Sequence, residues 1–241
     1  MTTERQEPPI RDRILIQSVF MSVNNNNKPC LGRWVDVLLE INPNVEFFST
    51  GGTYTALETA LGSRAGGHLF YTERFLELPE IGQGGQVKPP SQKLSLDTRQ
   101  IHAGIVANPN NPNHQAYLQH QLGNAVSFDA VMVSLKPLDE LVKDEETPIE
   151  AVRTSFDIGG SALVRAAAQN FLSCLVIVNP TDAELLVKVR ENGGTTFTDR
   201  FECAQQALQY LAGRERALDY WLSKVTLSRA QAEYATRLRR T

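Results

Sequence analysis

Two glycine-containing turns carry the residues of this chain that are best suited to chemistry. Residues 47–53 (FFSTGGT) and 156–160 (FDIGG) each lead from an apolar segment, through paired glycines, toward a stretch with helical character. Such a turn aims unpaired backbone N–H groups at whatever lies above it, and a helix N-terminus adds positive potential, so a phosphate monoester suits it. A second interpretation fits the first turn equally well, because Ser49 or Thr50 could simply cap the following helix.

An acidic residue and a lysine stand close to these turns in the predicted fold. Asp157 precedes a helix predicted over residues 161–171, so N-capping is one interpretation and a substrate contact or proton transfer is the other. Lys136 directly follows a strand predicted over residues 128–135, and side chains at that end of a strand reach the ligand-binding edge of a parallel sheet. Lys136 is therefore a stronger candidate than a lysine on an exposed helix.

A long loop supplies weaker candidates. Residues 73–100 are rich in proline and glycine and predict little regular structure, and long loops in compact domains are often functional. Lys88 could balance a phosphate or stabilise a developing oxyanion there, although most loop lysines are simply solvated. His102, beyond the loop, is better explained as a hydrogen-bonded structural histidine than as a catalyst.

The composition restricts the class of protein. The chain has 241 residues, of which 41% are hydrophobic and 21% charged, as in ordinary globular proteins. A net charge of −3 gives no electrostatic reason to expect nucleic acid or an anionic membrane as a partner. The sequence has no apolar run of about twenty residues, no signal peptide and no metal-like spacing of its three cysteines. We therefore expect a cytoplasmic protein without a metal or other cofactor.

Alternating apolar and helical segments predict the elements that must position these residues. Strands are predicted at residues 13–23, 45–48, 68–71, 128–135 and 172–178. Helices are predicted at residues 31–41, 53–61, 114–122, 147–153, 161–171, 182–190 and 198–224. This order predicts an α/β fold whose mainly parallel sheet is covered on both faces and binds ligands beyond the carboxyl ends of its strands.

Over about residues 13–224 the chain resembles the inosine monophosphate (IMP) cyclohydrolase domain, the N-terminal half of a bifunctional purine enzyme that also carries a formyltransferase. The resemblance is carried, in order, by residues 49–53, 79–88, 102–105, 128–137 and 156–170. It implies a methylglyoxal synthase-like fold, a three-layer α/β/α sandwich with a mainly parallel sheet and a C-terminal helical tail. We expect a disordered leader at 1–12, the cyclohydrolase-like domain at 13–195 and a helical extension at 196–241.

The resemblance also implies a reaction. In the family, a carboxamide nitrogen attacks a formamido carbon and water is lost, which closes the pyrimidine ring. We therefore expect a cyclase acting on a phosphorylated small molecule similar to a phosphoribosyl imidazole carboxamide, with formyl transfer left to a separate formyltransferase protein. A homodimer is favoured. A non-catalytic phosphometabolite-binding domain descended from the enzyme is the alternative.

Several family positions differ in this chain. Lys88 falls on a lysine that the family uses, although another alignment would place Lys93 there, and Gln86 replaces an arginine. Lys136 replaces a functional tyrosine, and Gln169 replaces a second functional lysine. The family's first phosphate loop (serine-valine-serine-aspartate-lysine-threonine-glycine) is unrecognisable within residues 18–30. The expected catalytic residues are Lys88, Lys136 and Asp157, and the expected substrate-binding residues are Ser49, Thr50, Gly51, Gly52, Thr53, Gln86, Ser134, Ile158, Gly159, Gly160 and Gln169.

Overall fold

Five short apolar segments form one parallel sheet in the computed structural model, which describes residues 11–72, 98–123 and 125–238. The strands are β1 (Ser18–Val23), β2 (Glu46–Ser49), β3 (Leu69–Tyr71), β4 (Ala130–Ser134) and β5 (Leu175–Ile177). Their order across the sheet is β3-β2-β1-β4-β5, and every pairing is parallel. Strands β2 and β3 therefore lie on one side of β1, and β4 and β5 lie on the other side.

Helices cover both faces of this sheet. They are α1 (Leu31–Ile41), α2 (Gly51–Leu61), α3 (Ala65–His68), α4 (Thr98–Val106), α5 (Pro112–His120), α6 (Asp139–Lys143), α7 (Ile149–Arg153), α8 (Ile158–Gln169), α9 (Ala183–Glu191), α10 (Phe197–Lys224) and α11 (Leu227–Leu238). Helix α1 packs against α2 and α9, while α8 packs against α4 and α10. Because both faces are covered, the strands are buried almost without interruption, as parallel strands usually are.

The predicted α/β class, the parallel sheet and the C-terminal helical tail are confirmed. The first half of α10 adds Cys203, Ala207 and Leu211 to the main core. Its last turns pack Trp221 into a small separate cluster with residues of α6 and α7. Within the described residues, no helix is long and apolar enough to cross a membrane.

The structure differs from the predicted elements in several places. The first strand begins at Ser18 rather than at residue 13, because Ile14 instead makes an isolated antiparallel bridge to Thr195. Helix α4 begins at Thr98, inside the predicted loop 73–100. Helices α3, α4 and α6 were not predicted from the sequence, and α11 was expected only as part of an undivided helical extension at 196–241. Contacts distant in sequence hold α11 in place, since its Glu233 carboxylate accepts a hydrogen bond from the Ile149 N–H at 2.9 Å.

Candidate functional site

A cavity of about 480 Å³ opens at the carboxyl ends of β1, β2 and β4. Strand β1 lies between β2 and β4, so the strand order reverses beside it, and this switch point is where open α/β sheets bind ligands. The cavity is lined by Phe20, Ser22, Val23, Asn24, Asn25, Lys28, Thr50, Gly51, Gly52, Thr53, Ser134, Lys136, Phe156, Asp157, Ile158, Gly159, Gly160 and Leu163. Most of the predicted site residues in the described part of the chain are thus brought together.

The turn from β2 into α2 offers backbone groups rather than hydroxyls. Ser49 is fully buried, does not line the cavity, and donates its hydroxyl hydrogen to the Met21 carbonyl at 2.7 Å. The Thr53 hydroxyl accepts from the Val23 N–H at 3.0 Å and lies 3.1 Å from the Val23 carbonyl, to which it donates. Thr50, the residue before α2, makes no capping hydrogen bond with its side chain. The N–H groups at the start of α2 therefore remain for a ligand.

Lys28 was missed by sequence reasoning, yet it lies over this helix end. Its Nζ atom is 2.6 Å from the point that a Cβ on Gly52 would occupy. No described carboxylate lies within ion-pair distance of Lys28. A signal was available, because Ser22-Val23 followed by a lysine matches the start of the family's first phosphate loop at a longer spacing. A 3-10 helix over Asn25–Cys30 carries this lysine to the cavity.

The end of β4 is held by the same loop. The Ser134 hydroxyl accepts a hydrogen bond from the Asn24 N–H at 3.0 Å, and the Asn24 amide nitrogen donates to the Leu135 carbonyl at 2.8 Å. The next carbonyl, that of Lys136, accepts from Arg214 Nη1 at 2.8 Å. Lys136 is exposed and lines the cavity. Two side chains thus hold the backbone that carries Lys136.

Asp157 caps α8, as one of the two interpretations of the sequence predicted. Its Oδ1 atom accepts a hydrogen bond from the Gly160 N–H at 2.9 Å. Gly160 has no room for a side chain, because a Cβ there would lie 2.4 Å from Leu135 Cδ2. Capping uses one carboxylate oxygen, and Oδ2 has no hydrogen-bond partner among the described residues. The second interpretation, a contact with a ligand, therefore also stays open.

The charges around the cavity favour an anion. Among its described lining residues, Lys28 and Lys136 are the cations and Asp157 is the carboxylate. The N-termini of α2 and α8 also meet it, and each carries a partial positive charge. The site thus combines two ammonium groups and two helix N-termini with one acid.

Four predicted residues lie outside the described part of the chain or outside the cavity, and the buried Ser49 is one of them. Gln86 and Lys88, together with the alternative Lys93, fall in residues 73–97, which the structure does not describe. Gln169 lies at the C-terminal end of α8, about 16 Å along the helix from Ile158 at 1.5 Å per residue. It borders a surface groove instead of the cavity, so the structure does not bring it together with Lys136.

Comparisons with known proteins agree with this architecture. The chain is 32% identical over 179 residues to "Bifunctional purine biosynthesis protein PurH" of Prochlorococcus marinus, which covers 74% of this chain and 32% of that protein. The PurH proteins of Thermosynechococcus vestitus and Listeria monocytogenes are 34% and 30% identical over 77% and 88% of this chain, and over 33% and 38% of their own lengths. The chain therefore spans about a third of the length of these relatives.

A solved structure shares the fold. "Crystal structure of ForH" superimposes with a TM-score of 0.57 at 21% identity, covering 87% of this chain and 98% of that one. No protein-family model matches the chain. The sequence comparisons nevertheless establish that the chain is homologous to PurH, a purine biosynthesis protein, over about three quarters of its own length.

Proposed function

We propose that this chain is an IMP cyclohydrolase-like cyclase that closes a ring, with loss of water, on a phosphorylated imidazole carboxamide-like substrate. The observation that carries the proposal is the convergence of Lys28 and Lys136 with the N-termini of α2 and α8 on one cavity. The two lysine ammonium groups repel each other and the positive N-termini of the two helices. A bound phosphate monoester relieves that repulsion. Homology to PurH directs the choice among phosphorylated substrates.

In this proposal the phosphate and the reacting groups occupy different parts of the cavity. The phosphate accepts hydrogen bonds from the N–H groups at the start of α2 and pairs with Lys28. The imidazole and its two substituents then reach Lys136 and Asp157. The predicted contribution of Lys88 stays a prediction, since that residue lies outside the described part of the chain.

Ring closure requires one group that accepts a proton and one group that stabilises the developing oxyanion. The carboxamide nitrogen bonds to the formyl carbon, and the formyl oxygen leaves as water with one hydrogen from the carboxamide and one from the formamido nitrogen. The free oxygen of Asp157 suits the acceptance of the carboxamide hydrogen. The Lys136 ammonium suits stabilisation of the oxygen as it gains negative charge and then leaves. Lys136 would thereby replace the tyrosine that the family has at this position.

A non-catalytic phosphometabolite-binding domain is the second candidate. Asp157 has a structural role as the cap of α8, which would explain its presence without catalysis. Gln169 lies away from the cavity, so it cannot replace the family's second functional lysine there. In this alternative the anion-binding half of the cavity persists without turnover. The two candidates therefore predict the same phosphate binding but differ in what happens to the bound ligand.

One experiment separates them. The purified chain is incubated with the formylated imidazole carboxamide ribotide, and IMP absorbance is followed for the native protein and for Lys28→Met, Lys136→Met and Lys188→Met. We expect weaker substrate binding for Lys28→Met, lost turnover with retained binding for Lys136→Met, and no effect for Lys188→Met. Lys188 is the matched control, because it lies on α9 and pairs with Glu184 at 3.1 Å. Binding without turnover in the native chain would favour the second candidate with this substrate.

Three wider expectations belong to the same proposal. The formylated substrate would come from a formyl-transfer step, for which we propose a separate formyltransferase protein. The chain would act in the cytoplasm, where purine precursors are made. A homodimer is proposed as well, and light scattering at several protein concentrations tests it.

A further inference from the structure

A second cavity lies beside the first, between α8 and α10. Its volume is about 560 Å³, and the two cavities share Phe156, Asp157 and Ile158 as a common ridge. Arg165 of α8 and Arg214 of α10 both line it. Apolar side chains complete its wall, among them Leu218 and Leu222. The predicted substrate chemistry makes no use of this space.

Arg214 is buried, and no described carboxylate pairs with it. Arg214 is only 9% exposed, and no described carboxylate lies within ion-pair distance of its guanidinium group. Nη1 donates to the Lys136 carbonyl at 2.8 Å, and the guanidinium carbon lies 5.8 Å from the centre of the Tyr210 ring. A neutral carbonyl and an aromatic face do not neutralise a buried guanidinium, so an anion in the cavity would stabilise it.

The other residues of the cavity restrict what that anion can be. Arg165 supplies a second guanidinium, and a guanidinium binds carboxylate or phosphate through two parallel hydrogen bonds. Glu215, Asp219 and the shared Asp157 also line the cavity, and these carboxylates would repel a ligand that carries several negative charges. Phe156 and Ile158, which are 45% and 61% exposed, offer an apolar surface. A single negative charge on an apolar body fits all of these features.

We propose that this second cavity binds a small amphipathic carboxylate, held at its charged end by Arg165 and Arg214 and at its apolar end by Phe156 and Ile158. Binding would be felt in the first cavity, because the guanidinium that receives the carboxylate also holds the Lys136 carbonyl. Any effect of this coupling on turnover rests on the proposed function of Lys136. The binding itself does not.

Benzoate is a suitable probe for the full-length chain. Its binding is measured by the NMR shifts of the arginine Nε–Hε groups, beside benzyl alcohol as a neutral analogue and inorganic phosphate as an anion without an apolar body. We expect saturable shifts at Arg165 and Arg214 with benzoate, and at least tenfold weaker binding of the other two probes at these residues. Equal binding of benzyl alcohol, tighter binding of phosphate at these arginines, or no shift would overturn the proposal.

Variants test the site without depending on any enzymatic activity. Arg165→Met changes an exposed residue and should weaken benzoate binding about tenfold, and Leu218→Trp should block the cavity. Arg190→Met is the control, since Arg190 lies on α9 and pairs with Glu40 at 2.9 Å. Unchanged benzoate affinity in both cavity variants would overturn the site. A benzoate-dependent shift of the Lys136 Hε signals supports the coupling, and its absence at saturation overturns the coupling alone, whether or not the chain closes a ring.

Discussion

The Lys28 amino group lies where a side chain on Gly52 would be, 2.6 Å from the position of an added Cβ. Gly52 has no positive φ, so an alanine there is not strained by its backbone conformation. The absence of a side chain at this position therefore admits the lysine to the N-terminus of α2. The segment that follows β1 is thereby held next to the turn that follows β2.

Gly52→Ala should separate anion binding from stability. The new methyl group would displace the end of a flexible lysine, so we expect about tenfold weaker binding of ribose 5-phosphate by calorimetry. Stability should stay within about 1 kcal/mol of the native value, because alanine favours a helix more than glycine does. Gly32→Ala is the control, since a Cβ at that position in α1 meets no atom within 4 Å. Unchanged affinity would remove Lys28 from the site.

Asp157→Asn should preserve the structure and remove the proposed chemistry. Asparagine caps helices about as well as aspartate, so the free energy of unfolding should change by less than about 0.5 kcal/mol. Turnover should fall by about a hundredfold or more, since the amide cannot accept the proton. Asp182→Asn is a matched control, because Asp182 caps α9 by accepting a hydrogen bond from the Leu185 N–H at 3.0 Å. Equal activity in both variants would restrict Asp157 to capping.

Asp129 should make stability depend on pH. Burial raises the pKa of Asp129 from 3.8 to about 6, although its carboxylate accepts hydrogen bonds from the Gln17 and Ser18 N–H groups at 2.8 and 3.1 Å. The folded state then holds a proton that the unfolded state releases between about pH 4 and pH 6. This residue's contribution to stability should therefore decrease by about 3 kcal/mol as pH rises through that window.

Asp129→Asn tests this contribution, because the Asn oxygen can still accept both backbone hydrogen bonds while carrying no charge. Urea unfolding at pH 4.5 and pH 7 should show a smaller loss of stability with rising pH in the variant than in the native chain. The same pH response in both proteins would contradict the assignment.

Arg200→Lys should destabilise the fold without affecting the cavity. Arg200 is fully buried and donates hydrogen bonds to the carbonyls of Phe171, Asp12, Thr195 and Arg11. An ammonium group cannot reproduce these directions, so we expect a loss of about 3 kcal/mol in chemical denaturation. Arg216→Lys, at an exposed position of the same helix, should change stability by less than about 0.5 kcal/mol. A similar small effect at both positions would contradict this interpretation of Arg200.

The sequence by itself determined the local elements and the class of fold. Hydrophobic periodicity and turn residues are short-range signals, so the strand at β4 and the helices α1, α9 and α10 could be predicted to within a few residues. The two glycine turns and the alternation of strands with helices also predicted a ligand site at the carboxyl ends of the strands, where the candidate cavity lies. The helical extension at 196–241 was expected, but α11 as a separate helix was not, because α11 is held by hydrogen bonds to residues about eighty positions earlier in the chain.

Only the tertiary structure decided what each polar side chain of the site does. The sequence shows the hydroxyls of Ser49, Thr53 and Ser134 but not their partners, which lie 28, 30 and 110 residues away along the chain. Those long-range hydrogen bonds hold the cavity wall together, so the groups left for the proposed anion are backbone N–H groups and Lys28. Gln169 is kept from the cavity by a different cause: it ends α8, and an α-helix separates its two ends by 1.5 Å per residue.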